Sequence, residues 1–158
     1  MKNNKSYDLS DSVIANMWVS IQKNFDFILE RNFTLKEFSG WNMGRTILLK
    51  GDLFNLVIEL DRVDVWVSVV SVNTNLHELN RYDIQLLVDY FTGDLHTFFE
   101  LKNHEEETLY SYYAGLLKSN FEQIENLFKY GITDAVKKEL NILNEKRNKV
   151  IFDKYIKD

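Results

Sequence analysis

The sequence predicts an α+β domain: a leading helix, an antiparallel meander of three or four strands, and three further helices packed mainly on one face of the sheet. Three observations carry this. Residues 53–72, LFNLVIELDRVDVWVSVVSV, hold two runs dense in Val, Ile, Leu, Phe and Trp, parted by a short charged tetrad, which is the pattern of a β-hairpin. Residues 10–32, 82–91, 103–130 and 134–157 instead space their apolar residues at three and four, the helical period. The chain has 158 residues, 45% of them hydrophobic and 27% charged, so it can bury one core and does not read as disordered. With no Pro and no linker-like stretch, 1–158 reads as a single domain.

In the first helix, 10–32, Ser10, Asp11 or Ser12 supplies the cap, and Val13, Ile14, Met17, Trp18, Ile21, Phe25, Ile28 and Leu29 form one apolar stripe. The sheet spans 33–73. Phe33, Leu35 and Phe38 alternate with polar residues, and Ser39-Gly40-Trp41-Asn42-Met43-Gly44 reads as a turn. Residues 45–50 form a strand, and Lys50-Gly51-Asp52 turns the chain into the next one. There Leu56, Ile58 and Leu60 share a face, as do Val65, Val67 and Val69 in the strand after it. A short helix over 82–91 is expected to stop at Gly93. Asn103 with Glu106 reads as a capping box for the third helix, which Gly131 ends. Thr133 or Asp134 opens the last helix, whose late part is rich in Lys.

Several chemistries are excluded or left thin. There is no Cys, hence no disulfide and no thiolate nucleophile or ligand. There is no nucleophile elbow and no P-loop. Lys137, Lys138, Lys146, Arg147 and Lys149 are interrupted by Glu139 and Glu145, so the last helix reads as a solvated face and nucleic acid is not an expected partner. No apolar run approaches the roughly 18 residues of a membrane span, and the polar N-terminus does not read as a leader, so a cytoplasmic location is expected. Of the histidines, His77 lacks a metal-binding helix signature. His96 and His104, with Asp94 and Glu100, form an alternative metal-binding or hydrolytic set. No cofactor is expected. Glu59, Asp61 and Asp64 offer paired carboxylates, but acid–base catalysis needs an apolar pocket that the sequence does not reveal.

The charge is unevenly placed. Residues 51–107 carry 3 Lys/Arg and 12 Asp/Glu, a net −9, whereas the segments before and after are each +2. Such a field favours a basic partner. Asp52, Glu59, Asp61 and Asp64, with Arg62 among them and Trp41 and Trp66 as aromatic anchors, are the candidate partner-binding residues.

The succession LVIELDRVDVWVSV, LHELNRYDIQLLVDYFTGD and LYSYYAGLLKSNFEQIENLF, within residues 10–131, resembles small, acidic, Cys-free immunity proteins of bacterial polymorphic-toxin and contact-dependent inhibition systems. Related sequences usually place Gly after the Asp-Arg pair; Val63 stands there in this chain. The resemblance implies a non-catalytic inhibitor that occludes the active site of a basic toxin domain, acting as a monomer or homodimer. A homo-oligomeric structural module, with the last helix as its contact, is the other alternative.

Overall fold

The computed structural model describes residues 10–41, 44–72, 81–95 and 105–156. The chain opens with α1 (Ser12–Asn24) and the short α2 (Asp26–Glu30), then forms β1 (Thr34–Trp41), β2 (Gly44–Lys50), β3 (Phe54–Asp61) and β4 (Asp64–Ser71). A two-residue strand, β5 (Tyr82–Asp83), leads into α3 (Ile84–Thr92), followed by α4 (Glu106–Lys129) and α5 (Asp134–Ile156). The sheet is an antiparallel meander in the order β1-β2-β3-β4-β5. No helix among the described residues is long and apolar enough to cross a membrane.

Several boundaries differ from the sequence reading: the turn expected over Ser39–Gly44 is shorter, because Ser39, Gly40 and Trp41 pair with Thr46, Arg45 and Gly44 as the end of β1. The helix expected over 10–32 breaks at Phe25, whose backbone leaves the helical region (φ −110°, ψ 28°) while its side chain is fully buried. The fifth strand arises because Asp83 caps α3: its Oδ1 accepts from the N–H groups of Gln85 (2.8 Å) and Leu86 (3.3 Å). The helix therefore begins at Ile84, and Tyr82 and Asp83 stay extended to pair with Val69 and Ser68.

Other ends follow the sequence more closely. Gly93 (φ 76°) stops α3 in the left-handed conformation that glycine adopts without penalty. Thr133 Oγ1 accepts from Val136 N–H at the start of α5. The structure starts α4 at Glu106 after an N-cap Glu105 that makes no side-chain cap bond; Asn103, the expected cap, lies outside the described residues. Within the following acidic run, Glu107 accepts from Ser20 Oγ (3.1 Å) and Asn24 Nδ2 (3.0 Å) and pairs with Lys23. It thereby brackets α1 to α4.

Period-two alternation divides the sheet into two faces. The inner face carries Ile47, Leu49, Leu56, Ile58, Val65, Val67 and Val69, which join the buried residues of α1 to α5 in one core. Each large side chain so buried contributes roughly 1.5–3 kcal/mol. At one end of that core Phe54 packs against Phe33 (5.3 Å), Phe121 (5.5 Å) and Phe128 (5.7 Å between ring centroids). Gly51 closes this end, where a Cβ would overlap the Phe33 ring and the Phe54 carbonyl. At the other end Arg45 reaches from β2 to the helix layer and pairs with Asp11 at 2.8 Å. Asp11 also caps α1 by accepting from the N–H groups of Val13 and Ile14. The bond from Ile14 N–H, with the Arg45 guanidinium beside it, holds the Asp11 carboxyl below the usual range. On the outer face Leu48, Val57 and Val70 form a separate small buried cluster.

Candidate functional site

Register decides which of the sequence-predicted residues meet. Asp61 pairs directly with Asp64 across β3 and β4, and Glu59 pairs with Trp66 one step inward. Side chains two residues apart on a strand share a face. Glu59, Asp61, Asp64 and Trp66 therefore all belong to the outer face, at one end of the sheet. The same rows continue across the meander: Asp61 opposes Gly44, which opposes Trp41, and Glu59 opposes Thr46, which opposes Ser39. Trp41 thus enters the same end of the sheet by its backbone position.

Asp52 does not belong to this group. It lies in the turn before β3, whereas Asp61 ends β3, and a strand of eight residues separates the two. At about 3.3 Å per residue the two ends stand roughly 23 Å apart. Glu59 also has a different role from the one expected, because its Oε1 accepts from Arg81 Nη1 at 2.7 Å in a half-buried ion pair. The expected acidic rim thus contracts to the hairpin itself.

That hairpin, Asp61-Arg62-Val63-Asp64, is exposed at all four residues. Arg62 takes a left-handed backbone conformation (φ 59°), which disfavours a residue with a Cβ. Asp61 and Asp64 are cross-strand partners by register, a pairing of like charges that is unfavourable in a sheet. Between them Val63 is 65% exposed at the tip. In the sequence Val63 stands out only as the residue in the place where related turns have Gly, not as a contact residue. Taken together, the corner presents two negative charges with the exposed, positively charged Arg62 between them, an apolar tip and, farther in, the half-buried Trp66.

The net −9 segment is not one surface. Asp89 is fully buried on α3, and Asp83 is tied to Arg147 of α5 at 3.3 Å. Burial pushes the Asp83 carboxyl above its ordinary range, against the pull of Arg147. Glu59 and Glu107 are engaged as described. Among the described residues of that segment, the Asp61–Asp64 corner and, at the far end, Asp52 stay exposed near the sheet.

Other chemistry is limited. Among the described residues no three His, Asp or Glu side chains converge to hold a metal. His77, His96, His104 and Glu100 lie outside the described residues, and Asp94 is exposed just past Gly93. An open groove of about 240 Å³ runs between α3 and α5, lined by Asp89, Tyr90, Glu139 and Lys146 among others. Burial, with Glu139 beside it, raises the Tyr90 hydroxyl above its ordinary range, so it stays protonated at neutral pH. The comparisons with known proteins return nothing: no family model, no curated protein and no solved structure matches the chain.

Proposed function

We propose that this chain is a non-catalytic binding protein of immunity type. It acts in the cytoplasm by docking its β3–β4 corner onto a basic toxin domain and covering that domain's active site. One observation carries the reading: Asp61 and Asp64 stand directly opposite each other on an exposed hairpin, beside an exposed Val63. Like charges held face to face weaken the free protein, and a Lys or Arg from a partner placed between them relieves the repulsion. The apolar tip and the Trp66 edge add area that excludes water around that contact. Charge attraction would speed encounter, and the apolar contacts would slow release. The resemblance to immunity proteins supports the same reading, as does the exposed setting of both carboxylates, which lacks the apolar pocket that acid–base catalysis uses.

The test is protection. The candidate to look for is a variable C-terminal toxin domain in a reading frame adjoining this gene. Co-expression with this chain should rescue growth, and Asp61→Lys with Asp64→Lys should abolish the rescue while the purified variant keeps its thermal midpoint. Failure of the unaltered chain to rescue growth or to bind that domain rules the proposal out.

A further inference from the structure

We propose that the outward face of α5 is a contact for a second copy of this chain, made by two α5 helices packed antiparallel about a two-fold axis. This goes beyond the toxin-binding reading and uses a different part of the molecule. The packed side of α5 is the stripe Val136, Leu140, Leu143, Arg147 and Ile151, of which Leu140 alone is fully buried. Successive residues of an α-helix turn by about 100°, so Ile142, Glu145, Lys149 and Phe152 form a second stripe, half a turn away from the first. Their spacing of three, four and three is that of a helix–helix seam. All four are exposed, with Ile142, which also borders the α3–α5 groove, at 44% and Phe152 at 62%. Among the described residues neither Glu145 nor Lys149 meets an opposite charge of its own chain within ion-pair distance.

The order of the four residues is self-complementary. A two-fold axis crossing α5 at the level of Arg147 sets residue 142 opposite residue 152 of the second copy, and residue 145 opposite residue 149. Ile142 then packs on the second copy's Phe152, and Glu145 faces its Lys149. Each pair occurs twice, as an isologous contact requires. The parallel arrangement would set Glu145 against Glu145 and Lys149 against Lys149, so the charges select the antiparallel one. The stripe covers only about 15 Å of helix, well short of a standard interface. The dimer is therefore weak and appears with rising concentration.

Sedimentation velocity from about 10 µM to about 1 mM reads this directly. The chain should pass from monomer to dimer, and Phe152→Asp should raise the dissociation constant about a hundredfold. Glu145→Lys alone and Lys149→Glu alone should each raise it about tenfold. Mixing those two single variants should restore association, because each brings the charge that the other lacks across the axis. A role of the pair within one helix would not produce that rescue. A chain that stays monomeric throughout overturns the proposal, as does a dimer indifferent to Phe152→Asp or a mixture no tighter than its parts. Circular dichroism melts of each variant confirm that the exposed substitutions leave the fold intact.

Discussion

The two ends of β3 are built on opposite principles. At the Phe54 end the sheet is closed by packing. Gly51 fits under Phe33, three further rings meet, and the buried Asn55 amide ties the turn together: Gly51 N–H donates to its Oδ1 at 3.2 Å, and its Nδ2 donates to the Val72 carbonyl at 3.3 Å. At the Asp61 end the hairpin carries a left-handed Arg62, a facing pair of carboxylates and an exposed Val63. Behind it, on the helix side, Asp11 and Arg45 staple β2 to α1. One end stabilises the sheet, and the other carries local features that work against stability. A left-handed residue, Asn32 (φ 67°), also precedes β1 at the packed end, so what sets the hairpin apart is the pairing of like charges beside an exposed apolar tip, which a binding site retains when a partner relieves it.

Substitutions can sharpen or break that contrast, and the largest effect is expected at the packed end. Gly51→Ala forces a Cβ into the Phe33 ring and should lower unfolding stability by about 3 kcal/mol in urea titrations. Asn55→Ala leaves the Gly51 N–H and the Val72 carbonyl without this partner and should lower it by about 2 kcal/mol. At the hairpin the sign reverses. Arg62→Gly removes the left-handed penalty, partly offset by the greater freedom of glycine when unfolded, and should raise stability by about 0.5–1 kcal/mol. A loss of stability there would mean that the two ends are not distinct in kind.

The smallest change is expected at the staple. Asp11→Asn keeps an oxygen for the α1 cap but loses the charge facing Arg45. The native Asp11 carboxyl lies below its unfolded value of about 4, so its contribution is present above that pH and lost as pH falls through the native value. The stability gap between wild type and variant should therefore be widest near neutral pH and close on acidification. A gap that is constant with pH would show that the pairing is not electrostatic.

Much of this architecture could be read from the residues. Alternation in 53–72 named two strands and their shared faces, and Gly93 and Gly131 marked helix ends because positive φ suits glycine. The break at Phe25 was hidden because Phe25 and Ile28 keep the helical spacing through it. Strand β5 was hidden because its two residues gain their form from β4 and from the cap that Asp83 makes. The candidate site was half legible. Its hairpin was marked by DRVD, but grouping acids by closeness in sequence placed Asp52 with Asp61. Successive turns of a meander fall at opposite ends of the sheet, so those two could not share a rim. The pairing of Glu59 with Arg81 depends on tertiary placement of a residue that follows β4, which no local pattern encodes.

The corner's proposed role is tested most directly by calorimetric titration of a basic toxin domain, as the proposal identifies its partner, with wild type and with the Asp61→Lys, Asp64→Lys double variant, at low and high salt. The account predicts a dissociation constant raised about a hundredfold or more by the double variant, and wild-type binding that weakens as salt rises. Equal affinity of the two proteins would contradict it.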